Sequence, residues 1–167
     1  MAATVQIDES NTVSETVTAN ITNASMGSTD APNMNPVNYP VTPGNNTYEK
    51  WHRFHVTNMG GSSAIESLTV WRTGALGGSA VHVTNARTSA YGGAATYATP
   101  TASTSTVATQ TMPTSNPGSA NLGIGGSLTG QLTAVGYSDY LVHQIQSNAS
   151  DLAGSSYTMN FAYTEVA

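Results

Sequence analysis

The sequence predicts an all-β protein: an antiparallel two-sheet sandwich of jelly-roll or immunoglobulin-like topology, with about seven to ten strands. Three observations lead there. Apolar residues recur with a period of two, glycine clusters separate the apolar runs, and no window shows a 3.6-residue apolar stripe with a cap at each end. Frequent Gly and β-branched Thr and Val disfavour helix throughout.

Taken in order, Val13, Val17, Ala19 and Ile21 alternate with Ser14, Thr16, Thr18 and Asn20, the pattern of a strand with one face on a core. His52, Phe54 and Val56 share one face of a second strand, and Trp51, Arg53 and His55 share the other. In a third, Leu68, Val70 and Arg72 oppose Thr69 and Trp71, and a short run from Ala80 to Val83 follows. Tyr140 to Ile145 is a nearly continuous apolar run broken by His143 and Gln144. Tyr157, Met159, Phe161 and Tyr163 alternate with Thr158, Asn160 and Ala162 and make the clearest strand of all. The punctuation between them is Gly60-Gly61, Gly77-Gly78, Gly92-Gly93 and Gly125-Gly126.

One domain spanning residues 1–167 is expected, with two segments of different character inside it. In residues 32–47, Pro32, Pro36, Pro40 and Pro43 interleave with Asn33, Asn35 and Asn38, which predicts an extended, polyproline-like crossing that ends in a Pro43-Gly44 turn. Residues 88–126 are dominated by Ser, Thr, Ala and Gly and read as a long loop or arm.

Charge excludes more than it suggests. Only four side chains are Lys or Arg, and charged residues make up 8% of the chain, against about a quarter in ordinary domains. Lys50, Arg53, Arg72 and Arg87 are too few and too scattered to release counterions from a phosphate backbone, so nucleic acid is not an expected partner. No stretch approaches the roughly 20 apolar residues of a helical membrane span, and no membrane partner is expected. The first thirteen residues have neither a basic n-region nor an apolar h-region, so no signal peptide is expected. With no cysteine, disulfides and thiolate chemistry are excluded.

The catalytic inventory is short. His52 and His55, three apart on a strand, send their rings to opposite faces and do not jointly hold a metal. His82 and His143 have no partner within sequence reach, and Asp139 and Asp151 bracket one strand as turn residues. Gly123-Ile124-Gly125 begins like a dinucleotide fingerprint but has Leu128 at the third glycine position. No cofactor, metal or catalytic residue is expected, and the chain reads as non-enzymatic. Its aromatic residues, among them Trp51, Trp71, Tyr39, Tyr137 and Tyr140, allow a second reading as a sugar-stacking platform.

The run Tyr39-Pro40-Val41-Thr42-Pro43-Gly44-Asn45-Asn46-Thr47-Tyr48-Glu49-Lys50-Trp51, followed by Phe54-His55-Val56-Thr57 and Ile65-Glu66-Ser67-Leu68-Thr69-Val70-Trp71, resembles a segment of tailed-bacteriophage virion proteins. There, a Pro-Gly turn and an aromatic-Glu-Lys strand precede a strand of I-x-x-L-x-x-W type. The end of the chain, from Ser138 to Val142 and from Tyr157 to Glu165, is similar to the closing strands of phage head or tail β-sandwich proteins.

The resemblance implies a virion structural protein, of the capsid decoration or cement type. It would be made in the host cytoplasm and sit on the capsid surface, with the major capsid protein and further copies of itself, as dimer or trimer, for partners. A glycan-binding adhesin or a tail or receptor-binding module is the alternative. Because cement proteins work by spreading contact area, Val5 and Ile7 of the N-terminal segment and Pro36, Tyr39 and Pro40 of the proline-rich segment are the expected contact residues.

Overall fold

The computed structural model describes residues 1–12, 14–85, 110–151 and 154–167. The chain is all-β, and its strands form two antiparallel sheets. The larger contains β1 (Thr4–Asn11), β2 (Thr16–Thr18), β3 (Lys50–Asn58), β5 (Val81–Asn85), β6 (Gln110–Thr111), β8 (Gly136–Tyr137) and β9 (Leu141–Gln146). Its order is β2-β1-β3-β9-β5-β6, with β8 also on β3. The smaller has the order β10-β4-β7, from β4 (Ala64–Thr73), β7 (Gln131–Leu132) and β10 (Thr158–Val166).

The period-two runs around Phe54, Val70 and Phe161 fall within β3, β4 and β10, the nearly continuous Tyr140 to Ile145 run gives β9, and the short Ala80 to Val83 run leads into β5. Their inner residues meet in one core. Phe54 and Val56 from β3, Leu68 and Val70 from β4 and Leu141 from β9 are all at most 2% exposed. Fully burying a side chain of this size is worth about 1.5–3 kcal/mol, so this face holds the sheets together.

One sequence expectation needs correction. The alternation from Val13 to Ile21 gives only the three-residue β2, and Val17 is 44% exposed. Thr12, Glu15 and Asn20 adopt positive φ of 63°, 52° and 52°, and Glu15 N–H donates to Thr12 C=O at 3.0 Å. The chain therefore reverses into a hairpin with β1 instead of running on as a core strand. The Ser/Thr-rich segment, residues 88–126, is described only in part. Residues 86–109, and Arg87 with them, lie outside the described residues. The part that follows is integral to the fold, because β6 pairs with β5 and Met112, Leu122 and Ile124 are buried in the core. Asn121 acts as a substitute strand: its amide accepts from Val70 N–H and donates to Val70 C=O, each at 2.8 Å.

Residues 19–49 contain no strand. The expected turn is present, with Asn45 N–H donating to Thr42 C=O at 2.9 Å and Gly44 at φ 92°. Elsewhere the segment folds back on itself, as Ser28 N–H donates to Tyr39 C=O and Tyr48 N–H to Gly27 C=O. It lies against the inner-face residues of β1, β3 and β9, where it bounds the site described next.

Candidate functional site

The inner face of the large sheet changes character along its strands. Around Phe54, Val56 and Leu141 it is apolar; one turn of the pleat further it carries Glu9 from β1, Lys50 and His52 from β3, His143 from β9 and His82 from β5. Alternation places them there: His52 has the parity of Phe54, and His143 that of Leu141. None of the five is more than 2% exposed.

They form one hydrogen-bonded chain across four strands. His82 Nε2 lies 2.8 Å from His143 Nδ1, His143 Nε2 lies 2.9 Å from His52 Nδ1, and His52 Nε2 lies 2.9 Å from a Glu9 carboxylate oxygen. The other Glu9 oxygen accepts from Lys50 Nζ at 2.5 Å and from Asn11 Nδ2 at 2.8 Å. Lys50 also donates to Ala31 C=O, which ties the 19–49 segment to the sheet.

The protonation states follow from the surroundings. Burial pushes His82 down to about 3, helped by the positive charges of Arg72 and His52. Burial likewise holds His143 well below the ordinary histidine value, with His52, His82 and Lys50 acting in the same direction. Burial alone would raise the Glu9 carboxyl, but the hydrogen bond and charge of His52, with those of Lys50, outweigh it and hold Glu9 below the usual carboxylate value. An ionised carboxylate only accepts, so His52 Nε2 carries the hydrogen toward Glu9.

The direction of the hydrogens in the chain is set by His52: as a neutral ring it accepts at Nδ1 and each ring donates from Nε2 toward Glu9. His82 Nδ1, at the far end, has no hydrogen-bond partner among the described residues. A proton entering the chain would reverse that order. The members stand in a line and do not converge; among the described residues, no group of three or more His, Asp or Glu has the geometry of a metal site.

Beside His52 lies a half-open cavity of about 850 Å³. Ile7 and Ile145 of the large sheet form one wall, Met159 and Phe161 of β10 a second, and Met26 and Val41 of the 19–49 segment a third. Of the expected contact residues, Ile7, Pro36, Tyr39 and Pro40 all line it. Pro36, Tyr39 and Pro40 are exposed at its rim, whereas Ile7 is half-buried on β1. Val5 is not among the lining residues; it is half-buried and packs against the apolar core.

The carboxylate at the cavity margin is engaged elsewhere. Asp151 accepts from Ser79 N–H at 2.6 Å and Asn148 N–H at 2.8 Å, and these backbone donors, Asn148 first, lower its pKa. Asp139, at the other end of β9, accepts from Gly126 N–H at 3.0 Å. Both are turn residues in this geometry.

The opposite face of the large sheet gathers aromatics. Trp51 meets Tyr140 edge to face at 5.3 Å, and His55 stacks on Tyr137 at 4.0 Å. Arg53 lies 4.2 Å from the Tyr137 ring centroid and 4.4 Å from that of Tyr140. Trp51 is only 1% exposed, and His55 and Arg53 already lie against Tyr137, so little free ring face remains for a sugar.

The histidine chain is the feature that sequence reasoning missed. Each ring shares strand parity with buried apolar neighbours, which signals burial, but its partners lie 43 to 91 residues away in the sequence. A scan against protein-family models, a search of curated proteins and a search of solved structures each find no match to this chain.

Proposed function

We propose that this chain is a non-enzymatic structural protein of a phage virion, a decoration or cement protein that binds the major capsid protein and further copies of itself on the capsid surface. The observation that supports this reading best is the placing of charge. Lys50 pairs with Glu9 in the core, Arg72 donates to Gly74 C=O, and Arg53 rests on two tyrosine rings. The described cations are thus engaged within the fold, and the outside carries hydroxyl, amide and apolar groups with a few carboxylates such as Glu66 and Glu165. Such a surface suits contacts made over area instead of by ion pairs.

The titratable groups point the same way. The buried imidazoles bond to one another, and Asp139 and Asp151 hold turns. Four of the five expected contact residues line one cavity, which supports the reading of a contact role there. The glycan-binding alternative rests on the aromatic cluster, whose ring faces are largely taken by Arg53 and His55.

Mass spectrometry of purified particles, with heads and tails separated, tests the proposal. The chain should appear in the head fraction in many copies. Its absence from particles would end the virion reading, and its presence in tails alone would replace decoration by a tail role.

A further inference from the structure

Among the described residues the smaller sheet ends at β10, and the pairing there shows which way its backbone points. On β4, Val70 N–H and C=O both bond to the Asn121 side chain, Arg72 N–H donates to Pro113 C=O, and Leu68 C=O accepts from Asn121 N–H at 3.1 Å. Leu68, Val70 and Arg72 therefore turn their main-chain groups away from β10. In an antiparallel pair, residues opposite one another either both bond across the ladder or both point outward. Phe161 stands opposite Val70 and Met159 opposite Arg72. The N–H and C=O groups of Met159 and Phe161 thus project from the free side of β10.

Those two residues also line the cavity. A strand's worth of outward backbone groups and an apolar recess of about 850 Å³ coincide at the same place. Among the described residues a three-stranded sheet faces a seven-stranded one, and Ile7, His52 and Ile145 of the large sheet line the recess beside β10 with no described strand above them. Neither Pro nor Lys, the usual guards of a free edge, occurs between Tyr157 and Val166.

We propose that β10 accepts an added strand from another polypeptide, an extended and uncharged segment whose backbone pairs with Met159 and Phe161 and whose alternate apolar side chains enter the cavity. Several observations fix this chemistry. Main-chain pairing demands an extended segment, and period-two side chains place every second residue on the cavity side. The lining offers an incoming charge no partner, since His52 is bonded on both nitrogens and Asp151 is held by Ser79 and Asn148. The surface stands independently of the virion reading, because any neighbour able to donate such a strand would serve.

Residue-resolved amide hydrogen exchange on the whole chain, with and without a synthetic peptide in which Thr alternates with Val, tests it. In the free protein, the Met159 and Phe161 amides should exchange fast, while those of Asn160 and Ala162, bonded to β4, exchange slowly. The peptide should slow Met159 and Phe161, and a version with Pro at its centre should not. Phe161→Asp should weaken peptide binding by about tenfold or more, the equivalent of ~1.4 kcal/mol.

Three results would overturn the proposal. Slow exchange at Met159 and Phe161 in the free monomer would mean that the edge is already paired. Protection that appears only in a dimer without peptide would assign the edge to two folded copies. Peptide binding that leaves both amides unchanged would place the contact elsewhere.

Discussion

The Glu9 carboxylate and the His52 ring face each other at 2.9 Å, and neither side chain reaches solvent. They join β1 to β3 at the point where the inner face of the large sheet turns from apolar to polar. Lys50 completes the pair from the same strand as His52. A buried charge of this kind is tolerable only while its partners are present.

Glu9→Gln leaves Lys50 buried without its counter-charge. The expected loss is about 3–5 kcal/mol, the range seen when one partner of a buried pair is removed. Urea unfolding followed by tryptophan fluorescence measures it. The double replacement Glu9→Leu with Lys50→Met should recover much of the loss, which distinguishes an uncompensated charge from a general packing defect.

Acid should unfold the protein through its histidines. His82 and His143 have folded-state pKa values below the ordinary 6.5, so the unfolded chain binds more protons as pH falls. Stability is therefore complete above about pH 6.5 and declines below it, continuing toward the value of about 3 at His82. Glu9, held below its usual value, adds to the decline once pH passes below about 4.5. His82→Phe should flatten the profile between pH 6.5 and 4, as read from urea midpoints across that range.

Asn121 stands in for a missing strand against Val70. Asn121→Ala strips Val70 of both partners and should cost about 1–3 kcal/mol, typical of buried backbone groups left unsatisfied. Asn121→Asp keeps the acceptor but sets a carboxylate against Val70 C=O, and it should be no better. Thermal unfolding of the two variants checks the ordering.

Leu68→Ala and Val17→Ala separate core strands from strands that only look alike in sequence. Leu68 is 2% exposed and Val17 44% exposed. The first should cost about 2–5 kcal/mol, the second no more than about 0.5 kcal/mol. Equal effects in chemical denaturation would show that the hairpin β1-β2 is packed differently.

That contrast also explains how far the sequence could be read. The strands around Phe54, Val70 and Phe161 were legible because one face of each meets the core and burial imposes period two, and the strand from Leu141 because burial on both faces makes it a nearly continuous apolar run. The alternation from Val13 to Ile21 has the same period but no core behind it, and three positive-φ residues bend it away. β1 was missed as a strand for the opposite reason. Its buried half is Asp8, Glu9, Ser10 and Asn11, a polar run whose interior place depends on Lys50, His52 and Asp30 elsewhere in the chain.

The candidate site was legible in the same uneven way. Ile7, Pro36, Tyr39 and Pro40 were singled out from two segments, and the fold sets them around one cavity. Met159 and Phe161 were read as a core face, and the free edge they form was hidden because it depends on Asn121 and Pro113 occupying the far side of β4. The histidine chain depends on pairing between β3, β9 and β5, and nothing local to any one histidine reports it.

Retention of the chain on purified phage heads through a salt series tests the central claim most directly, since the described cations are engaged by the fold and the proposed contact is made over area instead of by ion pairs. The chain should be present on heads at low salt and remain bound at about 1 M salt, where screening reaches within about 3 Å of a charge. Release as salt rises, or absence from heads at every salt concentration, would contradict it.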